Sequence, residues 1–177
     1  MKAIVIYNSK TGFTKKYAKW IAEALQCQSI SIREKQPDLS DYDRIVFGSN
    51  VKAGKIGKLD YFRKNILPQN KQTVLFAVGV TPTDNPQAKG LFKDNLTDNE
   101  LNSVKAFYLQ GGISYENLNF FEKKLMKMIG NSMLKKENAT EQEKQMGKAM
   151  LTSFDNSSKE SITPIIKSLR EQEENLK

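Results

Sequence analysis

Ala3-Ile4-Val5-Ile6-Tyr7, followed at once by Asn8-Ser9-Lys10-Thr11-Gly12-Phe13-Thr14, is the stretch on which the fold turns. The first five residues form a short, almost wholly apolar run bounded by turn formers. That is the pattern of a strand buried on both faces. Phe13, Tyr17, Trp20, Ile21, Ala24 and Leu25 then recur at helical spacing, which predicts an amphipathic helix over residues 12–26. Between strand and helix lies a hydroxyl-rich loop. The first N–H groups of a helix lack intrahelical partners and carry the positive end of its dipole, so such a loop suits an anion. Ser9, Thr11 and Thr14 add hydroxyl donors, and Gly12 lets the backbone close around a phosphate with no Cβ in the way. The plain alternative is a strand-turn-helix whose Ser and Thr only cap the helix. Neither G-x-x-x-x-G-K-[ST] nor G-x-G-x-x-G is present, so a Walker A loop and a dinucleotide fingerprint are not supported.

Working outward, strand and helix patterns alternate five times in about 110 residues. Gln28-Ser29-Ile30-Ser31-Ile32-Arg33 alternates as an edge strand does. Arg44-Ile45-Val46-Phe47-Gly48 is a buried strand, and Leu59, Phe62, Arg63 and Ile66 mark a short helix ended by Pro68. Thr73-Val74-Leu75-Phe76-Ala77-Val78 is a fourth strand. Pro86 suits the first position of a helix whose apolar face is Ala88, Leu91, Phe92 and Leu96. Val104-Lys105-Ala106-Phe107-Tyr108-Leu109 is a fifth strand, ending in Gly111-Gly112. This alternation means an α/β fold: a doubly wound parallel sheet of five strands in the order 2-1-3-4-5, with helices on both faces. Ligands on such sheets bind outside the carboxyl ends of the strands, where strands 1 and 3 diverge. The loops over residues 9–14, 49–55, 79–85 and 111–115 should meet there.

After Gly112 the chain leaves this pattern. Leu118, Phe121, Leu125, Met128, Ile129 and Met133 predict a helix over about 117–135, broadened by Phe120 and Met126. Its Phe/Met face either packs on the core or stays open to a lipophilic substrate or a membrane surface. Residues 137–148 read as polar, turn-like or weakly helical. A last helix between 156 and 174 starts at Thr163-Pro164, or starts near Ser157 and kinks at Pro164. The whole reads as one domain, 1–177, with an insertion at about 113–150.

Composition narrows the chemistry. The chain has 177 residues, one cysteine (Cys27) and no histidine. That excludes an intrachain disulfide, Ser-His-Asp and Cys-His nucleophiles and every His-bearing metal site. Redox chemistry would have to come with a cofactor. No apolar run approaches a membrane span, and Met1-Lys2 leads straight into the first strand, so the expectation is a cytoplasmic protein. The net charge is +8. Residues 1–110 hold 17 Lys/Arg against 10 Asp/Glu, with Lys52, Lys55, Lys58, Arg63, Lys64 and Lys71 clustered and opposed only by Asp60. The cluster reads either as a solvated helix face or as a collar for anionic partners: carboxylate substrates, acidic redox proteins or acidic lipid. Nucleic acid is not expected, since no recognition motif appears.

Ser9-Lys10-Thr11-Gly12-Phe13-Thr14 resembles the [ST]-x-T-G-x-T phosphate loop of flavodoxins, and Asp41-Tyr42-Asp43-Arg44-Ile45-Val46-Phe47-Gly48-Ser49 is similar to their third-strand region. The resemblance implies FMN as cofactor and electron transfer as function. It places Ser9, Lys10 (through its backbone), Thr11, Gly12, Phe13 and Thr14 around the phosphate. Ser49, Asn50, Val51, Lys52, Ala53 and Gly54 would flank the ring, with Thr81 and its loop at the pyrimidine edge and Gly112 in the fourth loop. In that family a Gly-containing peptide of the second loop turns its carbonyl toward the flavin N5–H, and Gly54 is the candidate here, with Gly57 behind it. A nearer resemblance covers most of the chain. Gly111-Gly112-Ile113-Ser114-Tyr115 and Phe121-Glu122-Lys123-Lys124-Leu125-Met126-Lys127-Met128-Ile129-Gly130 are similar to the insertion of the flavodoxin-like, menaquinone-dependent protoporphyrinogen oxidases. It implies a porphyrinogen substrate meeting the Lys collar, a quinone acceptor, and contact with the inner face of a membrane.

Two features depart from the flavodoxin pattern. The chain is basic where flavodoxins are acidic, and residues 49–60 and 79–91 contain no aromatic to stack on a flavin. Tyr115 could supply one, or could anchor the insertion instead. A ring beside Lys52 or Lys55 with little aromatic cover should have a raised potential. Three functions follow: an FMN electron carrier using a redox partner protein or quinone, an FMN-dependent protoporphyrinogen oxidase, or a flavin-free binding domain of the same fold.

Overall fold

The computed structural model describes residues 1–174. They divide into two compact units, residues 1–111 with 157–174, and Gly112–Asn156.

The first unit is built on strands β1 (Ala3–Asn8), β2 (Gln28–Ser31), β3 (Arg44–Lys52), β5 (Gln72–Gly79) and β6 (Lys105–Gln110), all parallel, in the order β2-β1-β3-β5-β6. This is the expected 2-1-3-4-5 order. A short strand β4 (Lys55–Ile56) adds to β3 antiparallel. The apolar runs are continuous because both sheet faces are covered. Ile4, Ile6, Ile45, Phe47, Leu75 and Ala77 point to one face, where Leu59, Phe62, Ile66, Leu91 and Leu96 close over them. Val5, Tyr7, Val46, Val74, Phe76 and Val78 point to the other, under Tyr17, Ile21, Ile165 and Leu169 of helices α1 (Phe13–Leu25) and α7 (Thr163–Glu174). Neighbouring residues alternate between the two clusters, as the period-2 pleat requires. Gly48 is glycine because the Phe76 ring lies 2.0 Å from where a Cβ would stand.

Several elements differ from expectation. The third strand runs four residues past Gly48 to Lys52 and folds back through a two-residue turn. The helix expected over 59–66 is one α-turn, α2 (Leu59–Tyr61), continued by a π-helical turn (Phe62–Ile66) and a 3₁₀ turn (Leu67–Gln69) that contains Pro68. The helix begun by Pro86 is short, α3 (Pro86–Gly90), and a separate α4 (Asp98–Ser103) follows with a Thr97/Glu100 capping box. A 3₁₀ turn (Lys159–Ile162) leads into α7, which starts at Thr163. Trp20 and Cys27 are only half-buried. Burial still pushes the Cys27 thiol above its usual range.

The second unit holds strands β7 (Gly112–Ile113) and β8 (Phe154–Asp155), paired antiparallel, and helices α5 (Phe120–Lys135) and α6 (Glu141–Ala149). Of the two readings of residues 137–148, turn-like or weakly helical, the second holds for most of the stretch, as a helix begun by a Thr140/Glu143 capping box. The two helices touch backbone to backbone. A Cβ on Gly130 would stand 2.7 Å from the Gly147 carbonyl oxygen, and one on Gly147 would stand 2.9 Å from that of Gly130. Tyr115 anchors this unit. Its N–H donates to Ser153 Oγ at 2.9 Å and its hydroxyl to the Lys123 carbonyl at 3.4 Å.

Candidate functional site

Parallel strands deliver their carboxyl ends to one edge of the sheet, and the register aligns them. Asn8 of β1 is level with Ser49 of β3, Asn50 of β3 with Val78 of β5, and Gly79 of β5 with Gln110 of β6. The loops that follow these strands in the first unit, 9–12, 53–54 and 80–85, therefore emerge side by side, with Gly111 beyond β6. Gly111 donates its N–H to the Gly79 carbonyl at 2.8 Å, and a Cβ there would stand 3.1 Å from Phe13 Cβ. The fourth loop thus reaches the first through Gly111, while Gly112 pairs with Asp155 in the second unit.

The first loop has the shape its residues predict. Gly12 is the N-cap of α1 at φ 100°, ψ −23°, a conformation that costs a side-chain-bearing residue about 1–2 kcal/mol. Having no side chain, it leaves the helix uncapped. The first intrahelical bond is Lys16 N–H to Gly12 O, so the N–H groups of Phe13, Thr14 and Lys15 have no intrahelical partner. Nothing lies within 4 Å of a Cβ built on Gly12, so there is open space beside it. Gly12 N–H donates to Ser9 Oγ at 3.2 Å, which folds the loop back and leaves the Ser9 hydroxyl its proton to donate. Ser9 and Thr11 are half-buried and Lys10 is exposed, whereas Thr14 is only 2% exposed.

A polar network unmarked in the sequence underlies the second loop. Asn8, 3% exposed, donates from Nδ2 to Ser49 Oγ at 3.2 Å and to Asn50 Oδ1 at 2.9 Å, and accepts at Oδ1 from Arg33 Nε at 3.0 Å. Ser49 is fully buried, so its hydroxyl braces the loops from below. Asn50 O accepts from Gly57 N–H at 2.8 Å.

The second loop is a tight hairpin. Lys52 pairs with Lys55 and Val51 with Ile56, which leaves Ala53-Gly54 as a two-residue turn with both φ values positive, 48° and 72°. That is the I′ geometry favoured between twisted antiparallel strands. Asn95 clamps it. Asn95 Nδ2 donates to Gly54 O at 2.8 Å and to Leu91 O at 2.8 Å, and Asn95 Oδ1 accepts from Ile56 N–H at 3.1 Å. The Gly54 carbonyl, expected to be available to a flavin, is thus held by a side chain. Arg63 reinforces the clamp, donating to Asn95 O at 3.0 Å and to both Glu100 carboxylate oxygens at 2.6 and 3.0 Å. The guanidinium holds the Glu100 carboxyl at about 2, well below its usual value. Arg63 therefore leaves the expected cationic collar. Lys52, Lys55, Lys58 and Lys64 are exposed, and Lys71 donates to Ser40 O.

In the third loop Thr81 is half-buried and its carbonyl accepts from the Tyr108 hydroxyl at 2.8 Å. Burial pushes that phenol up to about 12, so it stays a neutral donor. A 450 Å³ depression lined by Leu67, Lys71, Thr73, Asn99, Glu100 and Ser103 opens where β5 begins.

Residues 4–142 match a family model described as a flavodoxin domain. No curated protein matches. Solved structures that resemble the chain include a flavodoxin from the domain Archaea (17% identity, TM-score 0.43, covering 66% of this chain and 88% of that one). A flavoprotein in complex with FMN from Lactobacillus acidophilus is 16% identical (TM-score 0.41, 62% and 92%). A WrbA-like flavodoxin from Agrobacterium tumefaciens is 17% identical (TM-score 0.43, 66% and 87%).

Proposed function

The chain belongs to the flavodoxin-domain family, and from that premise we propose that it binds FMN at the carboxyl edge of its sheet and passes electrons through it. FMN is the cofactor that the family implies. The observation that carries the reading is the first loop: an uncapped helix N-terminus, opened by a glycine at φ 100° and flanked by hydroxyls, with space beside it. Such a loop fits a phosphate monoester, because backbone amides and hydroxyls can satisfy its oxygens without a guanidinium.

When bound, FMN supplies a ring that accepts and releases electrons. The chain supplies binding and orientation. The Ser9 and Thr11 hydroxyls and the amides of Phe13 and Thr14 hold the phosphate, while the Gly12 N–H stays on Ser9 Oγ and keeps the loop folded back. The buried Thr14 side chain keeps the helix start in place. The Ala53-Gly54 turn and the Thr81 loop border the ring, held by Asn95 and by the Tyr108 hydroxyl respectively. Asn8 and Ser49 fix the spacing of the first two loops from beneath. The test is the absorbance of purified protein mixed with excess FMN and gel-filtered. Bands near about 375 and 450 nm that stay with the protein support the reading. Colour that elutes separately refutes it and leaves the flavin-free domain.

A finer reading has the FMN protein oxidise a porphyrinogen, with a quinone as acceptor. Its support is the exposed Lys52, Lys55 and Lys58 on and after the hairpin, cations that the carboxylates of such a substrate would meet. Turnover of protoporphyrinogen with menaquinone by the FMN-loaded protein would establish it. Reduction and reoxidation by a redox partner protein, without such turnover, would leave an electron carrier.

A further inference from the structure

Arg33 belongs to none of the loops at the carboxyl edge, yet it touches the buried polar network between the first two. A turn after β2 holds it there. Ser31 is buried, its Oγ accepts the Arg33 N–H at 3.3 Å, and its carbonyl accepts from the N–H groups of Glu34 and Lys35 at 3.1 Å each. From that turn Arg33 Nε donates to Asn8 Oδ1 at 3.0 Å.

The chemistry of these groups selects one arrangement. A guanidinium has donors and no acceptor, so it holds Asn8 with its oxygen toward Arg33 and its NH₂ inward. The Asn8 NH₂ then donates to Ser49 Oγ at 3.2 Å and to Asn50 Oδ1 at 2.9 Å. Asn50 Oδ1 is thereby committed to the network, and a Cβ on Gly57 would stand 3.1 Å from it. The Asn50 NH₂ is left over. It has no partner among the described residues, and it is not among the side-chain atoms sealed from solvent. Two successive donations thus carry one polarity from Arg33 through Asn8 to the second loop. Turning Asn8 over would reverse every bond within: Ser49 and Asn50 would donate to its oxygen, and Asn50 would offer its carbonyl outward instead. Without Arg33 the two settings make equal numbers of hydrogen bonds, so Arg33 is what decides between them.

We propose that Arg33 is a positioning residue of the flavin site: through Asn8 it sets the Asn50 side chain to offer N–H, not C=O, to an acceptor atom of the bound flavin. This role rests on the FMN reading, while the relay itself can be read in the flavin-free chain. The test uses the full chain, labelled with ¹⁵N, and three variants. In wild type and in Arg33→Lys, which keeps a donor-only cation, the Asn50 NH₂ protons exchange readily with water. In Asn8→Asp residue 8 can only accept, so Asn50 turns its NH₂ inward and that exchange slows about tenfold. The substitution keeps the shape of the side chain and its bond to Arg33, so the fold is retained, as circular dichroism would check. Calorimetric titration with FMN follows the same order. Arg33→Lys binds as wild type, Arg33→Met leaves both settings open and loses about twofold, and Asn8→Asp loses about tenfold or more. Arg33→Met and Asn8→Asp change the net charge equally, so a through-space effect would weaken both alike and fade in salt. The relay gives unequal losses that persist in salt. Asn50 exchange unchanged in Asn8→Asp, equal FMN affinity of wild type and Asn8→Asp, or equal losses in Arg33→Met and Asn8→Asp overturns the proposal. A wild type that binds no FMN refutes the underlying reading instead, and the role of Arg33 falls with it.

Discussion

Asn95→Ala is the perturbation that bears most directly on the hairpin clamp. The side chain makes three hydrogen bonds of 2.8 to 3.1 Å to Gly54 O, Leu91 O and Ile56 N–H. Its amide orientation follows from its partners, because two carbonyls need the NH₂ and one N–H needs the oxygen. Gly54 is exposed, and its carbonyl regains water at little cost. Leu91 and Ile56 are buried, so their backbone groups lose a partner at about 1 kcal/mol each. The expected loss is about 2 kcal/mol in urea unfolding, roughly a thirtyfold change in the folding equilibrium. A local readout separates clamp from generic destabilisation. Lys52 and Lys55 close the turn, so the Ile56 N–H points away from β3, and Asn95 is its acceptor. Amide exchange at Ile56 should accelerate by more than at Val46 or Val74 in the sheet centre. Asn95→Asp keeps the acceptor for Ile56 but sets a carboxylate against two carbonyl oxygens, and should be no milder than alanine at neutral pH. A loss below about 0.5 kcal/mol, or Ile56 exchange unchanged in the alanine variant, would refute the clamp.

Further outcomes follow from the same contacts. Glu100 has its carboxyl held at about 2, so its bond to Arg63 stabilises the fold above the usual carboxylate range and the gain fades as pH falls toward 2. The pair is solvent-screened, which holds the gain to about 1 kcal/mol. Glu100→Gln should therefore be less stable than wild type at pH 7 and nearly equal to it at low pH in urea titrations. Gln26 ends α1 at φ 50°, with Cys27 N–H bonded to Ala22 O, the place where glycine costs least. Gln26→Gly should stabilise by up to about 1 kcal/mol, seen as a higher Tm. Gly147→Ala would put a methyl 2.9 Å from the Gly130 carbonyl oxygen and cost about 1–3 kcal/mol. Exchange in α5 and α6 should quicken while β1, β3 and β5 stay protected.

How much could be read in advance depended on how local the signal was. The strands of the sheet and the loop at Gly12 were legible because each is written in one contiguous run, and the order is the one expected of a doubly wound sheet. The Lys52–Lys55 hairpin was missed because Ala53-Gly54 reads as an open loop until Val51 and Ile56 are seen to pair. Asn95 gave no signal, since its partners at Gly54 and Ile56 lie 41 and 39 residues away. Asn8 stood within the deciding stretch, but its role depends on Ser49 across the sheet. Other misses were avoidable. Thr97-Asp98-Asn99-Glu100 and Thr140-Glu141-Gln142-Glu143 are both capping boxes by pattern, and they would have placed α4 and α6. Arg63 read as one more collar cation because its acid, Glu100, is distant in sequence and adjacent in space.

The most direct test of the central claim compares FMN with riboflavin, which has the same ring and no phosphate, by calorimetric titration of the wild-type chain and of Thr11→Ala. If the uncapped helix start and its hydroxyls hold the phosphate, FMN binds at least a hundredfold more tightly than riboflavin, and Thr11→Ala narrows that gap while leaving riboflavin unchanged. Equal affinities for the two flavins, or no binding of FMN at all, would contradict the account.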